Sequence, residues 1–326
     1  MEIKVKFVDG MQNFYIRKVI LDILNRNFDT VIECDTPDFL FYSVFGYEHL
    51  NYECVRIFWT GENIRPDFNM CDYAIGFDYI TYEDRYLRCP LYSIYSEKLE
   101  LVNNKHLQSD ADIEKRDKFC NFIYSNGNAA NERDMFYELL SQYKSIDSGG
   151  KHKNNIGYFV DDKIAFQSNY KFSIAFENSS TNGYVTEKII DAFAAGTIPI
   201  YWGSPRIAEE FNEKAFVNCH AFDCMGDVIA HVKKIDNDEM LFRNYIKEPA
   251  LNLDSKEHLD NLEKFLVYIF RQKVEDSYRR LRVVRGEAYQ TSYKNMYKNS
   301  KMWENSFENK IKNKIAKIKC THNLIF

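Results

Sequence analysis

The sequence contains no C-x-x-C pair, and its eight cysteines (Cys34, Cys54, Cys71, Cys89, Cys120, Cys219, Cys224 and Cys320) stand singly along 326 residues. A chain this long does not need stapling, so the pattern excludes a disulfide scaffold and fits the reduced thiols of a cytosolic protein. No stretch approaches the roughly 18 apolar residues of a spanning helix, which predicts a soluble or at most peripheral protein. The opening MEIKVKFVDG alternates apolar and charged residues like a strand and lacks the apolar core of a signal peptide. A net charge of only −5 supplies no overall field that would recruit nucleic acid. The chain also lacks G-x-x-x-x-G-K-[ST] and G-x-G-x-x-G, which argues against a P-loop or a dinucleotide-binding enzyme. Cys219, His220 and Cys224 come closest to metal-ligand spacing and read better as a short polar turn. No D-x-D stands at a strand end, so metal-independent chemistry without a cofactor is expected.

What the chain has is apolar mass: 45% hydrophobic residues with 23 Tyr and 25 Phe, enough for two cores, at a length that exceeds the usual size of one. Strand-like segments alternate with helical ones. Ile3, Val5 and Phe7 precede a helical run with Ile16, Val19, Ile20, Ile23 and Leu24. DFLFYSVFG, VRIFWTG and DYAIGF read as strands, and KFCNFIYSN is followed by a helix, ERDMFYELLSQY, with Met135, Leu139 and Leu140 on one face. SIDSGGKHKNN (145–155) loses its apolar residues and carries adjacent glycines, which marks a domain linker. Beyond it the rhythm resumes with KFSIAFEN, TEKIIDAFAAG, TIPIYWG, SPRIAEEF, AFVNC and DVIAHVKKI. The expectation is an α/β protein of two doubly wound domains, residues 1–150 and 151–290, followed by a tail at 291–326. Eight lysines between Lys294 and Lys319, with Phe307, Ile311, Ile315 and Ile318 at helical spacing, make that tail a basic amphipathic helix. It suits either an anionic membrane surface or docking on its own domain.

FENSSTNGYVTEK, Phe176 to Lys188, is the segment that most needs a reason. Phe172, Ile174 and Phe176 alternate with Ser173, Ala175 and Glu177, so a strand ends near Glu177 and the polar loop lies at its carboxyl end, where open α/β sheets bind ligands. The loop runs into a helix that begins near Thr186 and stops at Gly196. Free N–H groups at a helix start form an anion site, a diphosphate suits it, and Lys188 adds a charge beside it. Each residue alone is better explained as turn or helix-start chemistry.

The block FENSSTNGYVTEKIIDAFAAGTIPIYWGSP (176–205) resembles the signature of the α1,3-fucosyltransferases of glycosyltransferase family 10, especially bacterial members. FWTGENIRPDFNMCDYAIGF with DRYLRCPLY resembles the family's acceptor-side motif, and FIYSNGNAANERDMFYELL a third. Similarity runs discontinuously from about Val55 to Phe222, and the loop departs from the commonest bacterial form at Ser180–Asn182. The resemblance implies two Rossmann-like domains facing a cleft (the GT-B fold), with an N-terminal acceptor domain and a C-terminal GDP-fucose domain. It implies inverting transfer of L-fucose from GDP-β-L-fucose to the GlcNAc 3-hydroxyl of an N-acetyllactosamine-type glycan or glycolipid, a Lewis x-type product, in the bacterial cytoplasm or at the inner membrane. By the TGEN motif Glu62 is the general base, with Asp67 and Asp72 as rivals. Arg133 and Lys188 match the cations that meet the leaving diphosphate, Glu187 the acid beside the lysine, and Asn178, Tyr184 and Glu177 donor-site positions. A nucleotide-sugar-binding protein without turnover, or a transferase with another donor, acceptor or α1,4 linkage, stays open.

Overall fold

The structure is a computed structural model and describes residues 2–12 and 14–304. Two compact units share the chain: Met1–Trp59, Pro66–Ala74 and the chain from Phe270 onward form the first, Thr60–Arg65 and Ile75–Ile269 the second.

In the first unit β1 (Glu2–Phe7) is followed by α1 (Phe14–Asn27), β2 (Thr30–Glu33), β3 (Phe39–Tyr42) and β4 (Val55–Trp59). These strands are parallel in the order β2-β1-β3-β4. Every residue of β3 and β4 is buried, as expected for parallel strands covered on both faces. Ile20, Ile23 and Leu24 of α1 are also buried. β5 (Tyr73–Gly76) and β6 (Tyr86–Arg88) continue the order, and the division between the units falls within β5.

The second unit continues with α2 (Ser96–Asn104), α3 (Asp110–Glu114), β7 (Lys118–Phe122), α4 (Asn131–Ser141), β8 (Ile146–Ser148), α5 (Lys163–Gln167), β9 (Tyr170–Phe176), α6 (Glu187–Ala194), β10 (Ile198–Trp202), β11 (Val217–Asn218), α7 (Met225–Asn237), α8 (Glu239–Lys247) and α9 (Glu257–Arg271). Its sheet is parallel in the order β11-β10-β9-β7-β8. From β7 the chain winds to one side and then returns to β9 on the other, so the carboxyl ends of β7 and β9 form the topological switch point where such sheets bind ligands. Phe122, Phe136, Phe172, Phe176, Ile198 and Ile200 belong to its core. After α9 the chain completes the first unit with α10 (Arg285–Glu304). No helix among the described residues is long and apolar enough to cross a membrane. The tail residues Phe307, Ile311, Ile315 and Ile318 lie outside the described residues.

Three sequence-based expectations are corrected. The proposed linker at 145–155 lies inside the second unit, because Ile146–Ser148 is the edge strand β8 and the residues after it form a packed polar turn. His152 N–H donates to Tyr124 O at 2.9 Å, and a Cβ on Gly150 would sit 2.0 Å from that same oxygen. The adjacent glycines permit close backbone approach rather than flexibility. Gly150→Ala is therefore expected to cost about 2–3 kcal/mol of folding stability, read as a lower urea midpoint. The second correction concerns α4: Met135 is 49% and Leu139 42% exposed, while Arg133, Phe136 and Leu140 are buried. An arginine occupies a core-facing position that hydrophobic periodicity leaves to solvent. The expected helix SPRIAEEF is one 3₁₀ turn, Ile207–Glu209.

Candidate functional site

β9 ends at Phe176, and the next residue, Glu177, is fully buried. Its carboxylate accepts from Thr186 N at 2.7 Å, Thr186 Oγ1 at 2.7 Å and Lys188 Nζ at 3.0 Å. Glu177 thus closes the nine-residue loop onto the start of α6 and pins Lys188. Expected as a donor-site contact, it is instead taken up by these three bonds. Gly203 makes room for it, since a Cβ there would lie 2.5 Å from Glu177 Cγ. Thr186, the N-cap of α6, makes no side-chain cap bond to the helix N–H groups. Its hydroxyl instead accepts from Lys188 Nζ at 2.7 Å. The first turn therefore presents N–H groups free of an N-cap side chain, with an ammonium beside them, which is the donor set of an anion site. Gly183, at φ +80°, turns the loop where any Cβ would meet Phe77 O at 2.4 Å.

The other wall comes from the end of β7. Tyr124 OH accepts from Phe176 N at 2.7 Å and donates to Ile174 O at 2.9 Å, bracing its ring on β9. Arg133, 1% exposed, lies over that ring at 4.4 Å. It donates to Asn126 O at 2.7 Å and Asn178 Oδ1 at 3.3 Å, joining the two loops of the switch point. Its Nε has no hydrogen-bond partner among the described residues. Tyr184 is 3% exposed and sits edge-on to Phe77. Burial raises its phenol pKa, with Glu177, Glu62 and Glu187 adding to the rise and Lys188 opposing it.

Glu62 belongs to the same unit. The adjacent Asn63 donates to Ser179 Oγ and Thr181 Oγ1, each at 2.7 Å, so the TGEN segment is tied to the loop by two hydrogen bonds. Glu62 itself is half-buried; its N–H donates to Thr60 Oγ1 at 3.0 Å, and its carboxylate has no hydrogen-bond partner among the described residues. The rival Asp72 is fully buried and occupied by the N–H groups of Arg56, Arg279 and Arg280 and by the Arg280 guanidinium. Asp67 accepts from Asn69 and Tyr289. Of these three acids only Glu62 has both carboxylate oxygens free of hydrogen bonds among the described residues.

Glu187, Lys188, Asp191, Lys98 and Lys163 cluster around the first turns of α6. Buried Asp191 pairs with both Lys98 and Lys163. Burial opposes ionisation of Glu187, but Lys188, Lys163 and Lys98 prevail and hold its pKa at about 2. Burial likewise disfavours the Lys188 ammonium, while Glu177 and Glu187 outweigh it and raise its pKa above the ordinary lysine value. At neutral pH both groups are charged. A carboxyl lowered from 4.5 to about 2 contributes stability above pH 4.5 that is lost as pH falls towards 2. Lys163→Met removes one of the cations that lower it, so the acid limb of the pH–rate profile should move to higher pH; an unmoved limb would show that Glu187 does not titrate in the reaction.

Neither Asn63 nor Tyr124 stands out in the sequence as a site-forming residue, although Asn63 stands within TGEN; Tyr124 carries no local signal. No group of three or more His, Cys, Asp or Glu residues that could hold a metal occurs among the described residues.

Residues 5–95 match the alpha-(1,3)-fucosyltransferase FucT N-terminal domain, and residues 113–257 match glycosyltransferase family 10 (fucosyltransferase) C-term. The alpha-(1,3)-fucosyltransferase FucT of Helicobacter pylori is 40% identical over 233 residues, covering 62% of this chain and 48% of that protein. The 4-galactosyl-N-acetylglucosaminide 3-alpha-L-fucosyltransferase 9 of Mus musculus is 29% identical over 149 residues, 44% of this chain and 41% of that one. The chain thus spans about half or less of the length of these curated relatives. A crystal structure of an alpha1,3-fucosyltransferase with GDP-fucose is similar at TM-score 0.66 and 30% identity, covering 81% of this chain and 90% of that one. Another alpha1,3-fucosyltransferase crystal structure gives 0.70 and 31% over the same shares. With two parallel sheets of the GT-B type and both halves of the family's signature in sequence, the chain belongs to glycosyltransferase family 10, the fucosyltransferases.

Proposed function

We propose that the protein transfers L-fucose from GDP-β-L-fucose, with inversion, to the 3-hydroxyl of GlcNAc in an N-acetyllactosamine-type acceptor. The observation that carries this is the double hydrogen bond from Asn63 to Ser179 and Thr181, which ties Glu62, of the three candidate acids the one with unbonded oxygens, to a loop ending in a helix start with the donor set of an anion site. Glu62 takes the proton of the acceptor hydroxyl as its oxygen bonds to the anomeric carbon, and the bond to GDP breaks with the electron pair leaving on the diphosphate. Lys188 and the N–H groups of α6 meet that charge already oriented, so no reorganisation is needed in the transition state. Arg133 steadies the loop through Asn178 and offers its own charge to the donor. Glu187, held ionised, faces the positive charge that develops on the sugar ring.

We assign acceptor recognition to the first unit. Beyond the carboxyl ends of β1 and β3, its own switch point, lies a crevice of about 820 Å³ lined by Asp9, Phe45, Tyr47 and Tyr297 among others. Phe45 is 66% exposed yet fixed, because one side of its ring rests on Gly10, where a Cβ would sit 2.5 Å away. Asp9 fixes the loop by accepting from Glu48 N, His49 N and His49 Nδ1. A held aromatic face, with the acids Asp9 and Glu48 against the single lysine Lys301, suits a sugar chain rather than a second diphosphate. The test is a panel of GDP-, UDP- and dTDP-sugars against lactosamine-type acceptors, with linkage analysis of the product. GDP-fucose alone should support transfer, with an α1,3 product; transfer from another donor or at another hydroxyl overturns the assignment.

A further inference from the structure

Arg56 is a buried charge with no counterion among the described residues. It is the second residue of β4, 1% exposed, and among the described residues makes two side-chain hydrogen bonds: Nη2 to Tyr52 O at 3.0 Å and a long one from Nη1 to Gln290 Oε1 at 3.3 Å. Its Nε has no partner among the described residues. From Arg56 the nearby buried acid, Asp72, accepts the backbone N–H and no guanidinium N–H, and its ion pair is with Arg280. Burial, with Arg280 adding repulsion, lowers the Arg56 pKa. A guanidinium in this position is costly unless an anion meets it.

The space for that anion is present. Arg56 lines a cavity of about 250 Å³ within the first unit, together with Arg282, Gln290, Thr291 and Lys294. Among the described residues neither Arg282 nor Lys294 is ion-paired: Arg282 lies over the Tyr278 ring at 3.3 Å, and Lys294 donates to Leu50 O at 2.9 Å. The cavity's two acids, Glu53 and Glu287, are exposed. Cations therefore outnumber acids three to two, and the deepest charge is positive. Gln290 and Thr291 add an amide and a hydroxyl donor on the same stretch of α10.

We propose that this cavity is a phosphate-binding site, taking inorganic phosphate or a phosphate monoester headgroup, and that the bound anion ties α10 to β4. Planar guanidinium groups and an ammonium around a small polar cavity match the several oxygens of a tetrahedral dianion. The site is separate from the donor loop, whose residues all belong to the second unit.

The experiment is calorimetric titration of the full chain with inorganic phosphate, with thermal unfolding alongside in chloride of matched ionic strength. One phosphate should bind per chain, with Tm rising as phosphate is added and no equivalent rise in chloride. Because Arg56→Gln risks the fold, the variants are Arg282→Gln and Lys294→Gln, whose side chains reach solvent; each should weaken phosphate binding about tenfold and leave GDP-fucose binding unchanged. Equal stabilisation by chloride, or phosphate affinity unaltered in the double variant, overturns the site. Competition with a soluble short-chain phosphatidic acid assigns the source: displacement makes the ligand a headgroup, and failure to displace makes it free phosphate, both being forms of the proposed site.

Discussion

Glu62→Ala is expected to lower kcat for fucosyl transfer by about 10²–10⁴-fold while GDP-fucose binds as it does to the unaltered chain. The expected size follows from what the carboxylate does. An acceptor hydroxyl is a poor nucleophile until a base takes its proton, and Glu62 is the one acid of its three sequence candidates with unoccupied oxygens. Binding should survive because the loop is held by Asn63, Glu177 and Arg133 rather than by Glu62. Single-turnover kinetics together with calorimetry separates the two effects. A variant that loses donor affinity and rate in parallel would make Glu62 a structural support of the loop. Asn63→Ala offers the reciprocal case: its side chain sets the approach of the base, so it should lower kcat without titrating.

The site was legible in the sequence where function is written in contiguous residues. The polar run after KFSIAF, the helix start at Thr186 and the stop at Gly196 follow from strand alternation, helix-start chemistry and a glycine that here adopts φ +73°. Long-range partnerships were not legible. Glu177 looks like any loop acid in sequence, and only the fold reveals that nine residues later Thr186 returns to it. Arg133 reads as the exposed face of an amphipathic helix because periodicity counts only apolar residues, whereas the aromatic ring of Tyr124 and the oxygens of Asn126 and Asn178 make a polar pocket at a core position. The glycines at 149 and 150 read as a linker for the same reason: a sequence does not distinguish a glycine needed for freedom from one needed for close contact.

Glu177→Ala should have the largest effect on stability, about 3–5 kcal/mol, read as a lower urea midpoint at unchanged m-value. The carboxylate is fully buried, and its removal strands the Lys188 ammonium, the Thr186 N–H and the Thr186 hydroxyl together. The Thr186 N–H and hydroxyl proton then bear the cost of desolvation without a partner, and Lys188 keeps only Thr186 Oγ1 and the more distant Glu187. Glu177→Gln keeps the volume and one acceptor oxygen, so it should recover part of the stability while leaving Lys188 with Glu187 as its remaining carboxylate partner. The Lys188 ammonium, lacking one of the two acids that raise its pKa, should titrate at lower pH than in the unaltered chain. Stability that Lys188 gains from these acids is fully present below its unfolded pKa of 10.5 and lost as pH rises through the folded value, so the difference between the two chains should shrink in strong alkali. Wild-type stability in Glu177→Ala would mean that the loop is closed by something other than this carboxylate.

The most direct measurement is a crystal structure of the chain with GDP-fucose bound. The diphosphate is expected against the first turn of α6, its oxygens within about 3 Å of Lys188 Nζ and of the N–H groups that the N-cap leaves uncovered, with the fucosyl carbon open towards the Glu62 carboxylate. A nucleotide seated away from Thr186–Lys188, or a fucosyl carbon turned from Glu62, would contradict it.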